Sequence, residues 1–203
     1  MMSPCSTREF IDVIGATIEK SGQSYYTLRK KNQRIDLRKD HKIAFLKNGS
    51  VSIYRVENDI VTFSICGPAI IGMAQMFHNE RSHYFRCDQD CEMVIIDTNK
   101  FIELLNSKNL WFHAFNILSH HLGMYFQLEK RLMQKDIKGI VREHLHYLWK
   151  QDPVVRAKAS VYTFILARNQ VSRSSLHKVM AKLVSDGMIE LSRGKLVWMN
   201  DAY

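Results

Sequence analysis

Val171-Ser172-Arg173-Ser174-Ser175-Leu176-His177-Lys178-Val179-Met180-Ala181-Lys182-Leu183-Val184 decides how the rest of this chain is read. Ser172 is a good N-cap, because its side-chain oxygen can accept from a backbone N–H in the first helical turn. Behind it, Leu176, Val179, Met180 and Leu183 fall at i, i+3, i+4 and i+7, the apolar stripe of a helix. The opposite face carries Arg173, Ser174, His177, Lys178 and, further round, Lys182. A helix entering the major groove needs this split: the apolar face anchors it, and the first turns offer donors to base edges. Arginine can pair bidentately with guanine O6 and N7. A basic face alone would describe any solvated helix, so the flanking residues must discriminate.

Upstream, Tyr162, Ile165 and Leu166 fit a short helix, and Arg168-Asn169-Gln170-Val171 fits a turn. Downstream, Asp186-Gly187 stops the helix. Ile189-Glu190-Leu191-Ser192 and Leu196-Val197-Trp198-Met199 read as two strands, joined by a turn at Arg193-Gly194-Lys195. The hairpin is a wing, with Arg193 and Lys195 placed to meet phosphates, which position a protein on DNA without reading sequence. Helix, turn, capped helix and basic hairpin together predict a winged helix-turn-helix from Val161 to Met199.

Composition agrees. The 203 residues carry a formal charge of +9, and from Val154 to Tyr203 eight basic residues face three acidic ones. Such a balance favours a polyanionic partner, and double-stranded DNA fits it better than a membrane surface. A membrane-surface protein would line one amphipathic helix with its cations, whereas these spread over a helix and a hairpin. The N-terminus has no apolar signal core and no apolar run approaches a membrane span, so the expectation is a cytoplasmic protein with no membrane partner. No Ser/His/Asp arrangement, metal triad or Gly-rich phosphate loop stands out; no enzyme, catalytic residue, cofactor or metal site is expected. Of Cys5, Cys66, Cys87 and Cys91, only the last two could approach each other, across a hairpin at Asp88-Gln89-Asp90. A redox switch or metal site is one reading of that pair, and reduced thiols acting as small hydrophobes is the other.

Residues 7–20 read as a short helix with Phe10, Ile11, Ile14 and Ile18 on one face, followed by a polar, basic stretch to Lys42. From Ile43 to Asp97, short β-branched and aromatic runs alternate with turn signals, as in a small antiparallel barrel or jelly roll. Trp111, Phe115, Leu118, Leu122, Tyr125 and Leu132 then form a heptad-like seam suited to pairing with a second copy. Asp136 can cap a further helix, whose face is Ile137, Ile140, Val141, His144, Leu145, Leu148 and Trp149.

The segment Val171 to Val179, and the order β-roll, long helix, winged helix, resemble the cyclic AMP receptor protein/FNR superfamily over roughly residues 40 to 200. The segment Arg173 to Asn200 is most similar to a small enterobacterial branch, the IprA-type regulators named for inhibition of peroxide resistance. The resemblance implies an α+β chain in three parts: a helix and cyclic-nucleotide-binding-like antiparallel β-roll (1–106), a dimerisation helix (107–135) and a winged helix-turn-helix (136–203). It implies a homodimer on a near-palindromic operator, RNA polymerase as a further partner, and a role in oxidative-stress or virulence-related genes. The family's base-reading positions fall on Arg173, Ser174 and Lys178; members often carry Glu where Ser174 stands, so the family's DNA consensus does not transfer. The effector pocket is expected to be degenerate. Gly72 opens the phosphate cassette, but Met73 stands where the ribose-binding carboxylate belongs. Arg81 and Ser82 close a shortened loop, and the base-contacting pair falls at Tyr125 and Phe126. The expectation is a cavity filled by the protein's own side chains and no response to cyclic AMP, with sensing of another small molecule or redox signal as the alternative.

Overall fold

The computed structural model describes residues 7–78, 80, 82–132 and 136–200, and the side chains of 127–132 and 155 are left aside. The chain divides into two compact units, Met1–Tyr125 and Phe126–Tyr203.

The first unit begins with helix α1 (Thr7–Lys20), which buries Ile11, Ile14 and Ile18. Eight strands follow: β1 (Ser24–Arg29), β2 (Arg34–Ile35), β3 (Lys42–Asn48), β4 (Ser50–Arg55), β5 (Val61–Cys66), β6 (Ala69–Ile71), β7 (His83–Cys87) and β8 (Cys91–Asp97). They make two antiparallel four-stranded sheets, ordered β1-β8-β3-β6 and β2-β7-β4-β5. Successive side chains of a strand point to opposite faces, and the core obeys this. Ile43 and Phe45 of β3, Ile70 of β6, and Val94 and Ile96 of β8 pack with the helices. Their neighbours Ala44, Leu46, Ile71, Met93 and Ile95 pack against Val51, Ile53, Ile65 and Phe85 of the other sheet. Strands covered on both faces read as unbroken apolar runs, which is why Met93 to Ile96 shows no alternation. At Gly15 a Cβ would come within 2.5 Å of the Phe45 ring, so the absence of a side chain lets α1 settle on the sheet.

Asp97 caps α2 (Thr98–Ser107) by accepting from the Asn99 N–H at 3.0 Å. Asn109, at φ 53°, turns the chain into α3 (Trp111–Leu132). Leu110, Ala114 and Ile117 join the core shared with α1 and α2. Phe115, Leu122 and Tyr125 of the seam remain exposed and Leu118 is half-buried.

In the second unit, α4 (Ile137–Trp149) starts at Asp136, whose carboxylate accepts from the Gly139 N–H at 2.6 Å. A short α5 (Pro153–Arg156) leads to α6 (Val161–Leu166), capped by Ser160. Then come α7 (Arg173–Ser185) and the hairpin of β9 (Ile189–Ser192) and β10 (Lys195–Met199). One core joins Val141, Leu145 and Leu148 of α4 with Val161, Ile165, Leu176, Met180, Leu183, Ile189 and Leu196. Burying such side chains contributes about 1.5–3 kcal/mol each.

Candidate nucleic-acid interface and β-roll cavity

Helix α7 starts where the sequence places it. The Ser172 hydroxyl accepts from the Ser175 N–H at 3.1 Å, and Ser172 and Ser174 share a hydroxyl contact of 3.1 Å. Leu176, Met180 and Leu183 are buried and Val179 is half-buried, so the helix is fixed by one face. Ser172, Arg173, Ser174, His177, Lys178 and Lys182 lie on the other, with Ser172 half-buried and the rest exposed. Arg173 and Lys178 carry no ion pair among the described residues, whereas Lys182 lies 3.4 Å from Asp186. Both members of that pair are exposed, so water screens it and it leaves Lys182 available at little cost. The His177 ring stacks on Tyr162 of α6, with centroids 4.4 Å apart. The helix ends at Gly187 (φ 65°), with Met188 N–H donating to the Leu183 carbonyl at 2.9 Å.

The wing differs from its expected form by one residue. Lys195 is the first residue of β10, paired with Ser192, and the turn consists of Arg193 and Gly194 alone. Both have positive φ, 50° and 76°, the backbone of a tight two-residue hairpin. Arg193 is exposed at the tip, and Lys195 is half-buried at its base. The Gly194 carbonyl accepts from the Val161 N–H at 2.9 Å, which ties the wing to the start of α6.

Three cations beside these elements escaped the sequence reading. Lys138 and Arg142 of α4 line a groove of about 530 Å³ together with Lys178 and Lys182 of α7. Their i, i+4 spacing was the available signal, overlooked because attention lay on the apolar face. Arg156 lies in a second groove with Arg193 and Lys195; its guanidinium donates to the Trp149 carbonyl at 2.9 Å and covers that indole at 4.1 Å.

In the first unit, the β-roll does not have the filled interior expected of it. A cavity of about 580 Å³ opens between strand residues such as Ile53 and Phe63, the turn at Met73–Gln75, and α3. Met73 and Tyr125 do line it, while Gly72, Ser82 and Phe126 are not among its lining residues, and Arg81 lies outside the described residues. Tyr125 and Phe126 stand about 100° apart around the helix, so the two cannot close the same space. All five described seam residues, Trp111, Phe115, Leu118, Leu122 and Tyr125, line this cavity; the side chain of Leu132 lies outside the described set. Gly72 adopts φ 101° at the entry to the turn. Burial pushes the His121 imidazole down to about 4 and lowers His83 as well, so both rings are neutral near pH 7.

The described cysteines are free: Cys66 is exposed, and Cys87 and Cys91 are buried on either side of the β7–β8 turn. The Cys91 thiol donates to the Gln89 and Ser50 carbonyls at 3.2 and 3.3 Å. Burial, then the neighbouring Cys91, pushes the Cys87 thiol up to about 12. Thiolates are the reactive form, and this environment suppresses them, as fits small buried hydrophobes. Among the described residues no group of three or more His, Cys, Asp or Glu could hold a metal. No described helix is long and apolar enough to cross a membrane.

Residues 139–202 match the family described as winged helix-turn-helix DNA binding. The chain superposes on the c-di-GMP responsive global regulator CLP of Xanthomonas campestris with a TM-score of 0.74 at 19% identity, covering 91% of this chain and 99% of that one. A CRP/FNR-family transcriptional regulator from Thermus thermophilus gives 0.60 at 17% identity, over 87% and 94%. With that fold and that DNA-binding domain, the chain is a transcriptional regulator of the cyclic AMP receptor protein/FNR type, and not an enzyme. Within that class it is similar to the inhibitor of hydrogen peroxide resistance of Escherichia coli K12, at 26% identity over 153 residues, 75% of this chain and 73% of that protein. The Salmonella typhimurium protein of the same name is 24% identical over the same shares.

Proposed function

We propose that this regulator binds a near-palindromic operator as a homodimer paired through residues 107–135, reads bases with Arg173, Ser174 and Lys178, and works without cyclic AMP. The observation that carries the DNA reading is α7: capped at Ser172, held by Leu176, Met180 and Leu183, and presenting Arg173 and Lys178 without ion-pair partners among the described residues. A two-fold dimer would set two such helices about 34 Å apart, one turn of DNA. His177, Lys182, Arg193 and Lys195 then supply contacts that hold register. Independence from cyclic nucleotide is supported by a cavity whose described lining carries no Lys, Arg, Asp or Glu, so a buried phosphate and ribose would lack partners. Control of peroxide-resistance genes, in the cytoplasm and in contact with RNA polymerase, follows from the similarity to the inhibitors of hydrogen peroxide resistance. Mapping of genomic binding sites, with footprinting of the strongest, tests the operator and dimer claims: scattered sites without two-fold symmetry would sink them. Calorimetric titration with cyclic AMP and cyclic GMP tests the rest. Binding tighter than about 100 μM, roughly −5.5 kcal/mol, would overturn the effector-free reading.

A further inference from the structure

We propose that the β-roll cavity is a binding site for an uncharged, mainly apolar small molecule. The inference rests on the preceding reading that no cyclic nucleotide occupies it. Its volume of about 580 Å³ lies within the ordinary range for ligand sites, roughly 300–1,000 Å³. Its floor belongs to the core: Thr62 and Met73 are each 3% exposed and Ala114 1%. Its rim is aromatic and open, with Phe77 at 69% and Phe115 at 67% exposed. Core-like depth under an exposed apolar rim is the shape of a site that loses water when filled, and apolar burial is the driving force.

The polar groups of the lining set the ligand's charge. They are Thr62, His78, His83 and His121, and no formally charged side chain occurs among the described lining residues. His83 and His121 stay neutral near pH 7, for burial disfavours their cations. An anion or cation brought here would surrender its hydration without an opposite charge to replace it. Thr62 adds a separate sign of a missing partner. Its Oγ1 is buried and has no hydrogen-bond partner, although unsatisfied buried hydroxyls are uncommon in folded proteins. A ligand carrying one hydroxyl or carbonyl on an aromatic body would match these walls.

A second copy of α3 is the competing occupant, because the seam residues form one wall. A helix can cover the rim but not reach the floor at Thr62 and Met73, which favours a small molecule for the deep part.

The test uses the full chain and two probes, 2-naphthol, neutral near neutral pH, and the anion 2-naphthalenesulfonate, read by fluorescence and calorimetry. Ala74→Trp and His78→Trp place indoles in the cavity from two exposed lining positions, and circular dichroism monitors their fold. The expected result is one saturable 2-naphthol site per chain, at least about tenfold tighter than the sulfonate, and weakened about tenfold or more by either substitution. Equal or tighter binding of the sulfonate would overturn the proposal, as would unchanged 2-naphthol affinity in both variants. An affinity that falls as protein concentration rises assigns the cavity to the second copy and also overturns it. Failure of 2-naphthol to bind while cyclic AMP is also silent removes this proposal alone. Displacement of 2-naphthol by cyclic AMP removes both this proposal and the effector-free reading.

Discussion

The side-chain amide nitrogen of Asn169 lies 2.7 Å from Nε2 of His144, so the turn of the helix-turn-helix is bolted to α4 inside the core. The same amide donates to the Ile165 carbonyl at 3.0 Å. An amide nitrogen only donates, so Nε2 of His144 accepts and that ring holds its proton on Nδ1. Removing the amide takes a donor away from a buried imidazole nitrogen and a helix-end carbonyl. Asn169→Ala should therefore cost about 1–3 kcal/mol of stability. Urea denaturation of the wild type and variant measures it, and an unchanged midpoint would show that the bolt contributes nothing.

Base readout and phosphate contact separate in two single variants. Arg173→Ala should lose about 1–3 kcal/mol at the operator and relax the preference for it over scrambled DNA. Lys195→Ala should weaken both DNAs alike and lower the salt slope by about 1. Gel-shift titrations at several salt concentrations decide this. Wild-type affinity of Arg173→Ala for the operator would place the reading residues elsewhere.

Pairing depends on the α3 seam. Phe115, Leu122 and Tyr125 expose more apolar area than one chain usually leaves in water. Replacing Leu118 and Leu122 together by Glu should yield monomers that bind the operator at least about tenfold more weakly, because two half-sites no longer act together. Light scattering reads the mass, and a wild-type chain already monomeric at micromolar concentration would remove the dimer.

The His121 shift has a sign that calorimetry can follow. Its imidazole titrates near 6.5 when unfolded and near 4 when folded, chiefly because burial disfavours the cation. Below about 6.5 the unfolded chain binds a proton that the native chain refuses. Stability from this group is thus complete above that pH and declines as pH falls toward 4. His121→Gln should flatten the melting temperature against pH across that window. A parallel decline in wild type and variant would assign the acid loss to other groups.

The sequence made the DNA-binding unit legible because its signals are local. Ser172, the apolar spacing behind it and Gly187 each act within a turn or two of chain. Less of the β-roll was visible. Strand β1 was passed over as polar, since Tyr25, Tyr26 and Leu28 lie exposed on an edge strand and give no clean alternation. It is identified by its register, Ser24 with Ile96 through Arg29 with Cys91, which no local pattern encodes. Periodicity revealed the face of α3 but not what it meets, so the seam was legible and the cavity beside it was not. Asn169 looked like any turn residue, because its partner lies 25 positions earlier in the chain. The hairpin that brings Cys87 to Cys91 was readable from spacing, but the suppression of their thiolates arises from packing around them.

Leu118 and Leu122 belong both to the pairing stripe of α3 and to the wall of the β-roll cavity. Two equilibria that share the same atoms are thermodynamically linked. A molecule in the cavity that alters the pairing constant by some factor must itself bind dimer and monomer with affinities differing by that same factor. Operator occupancy then inherits that factor, so the chain could convert the concentration of a neutral compound into promoter activity without any rearrangement of α7 itself.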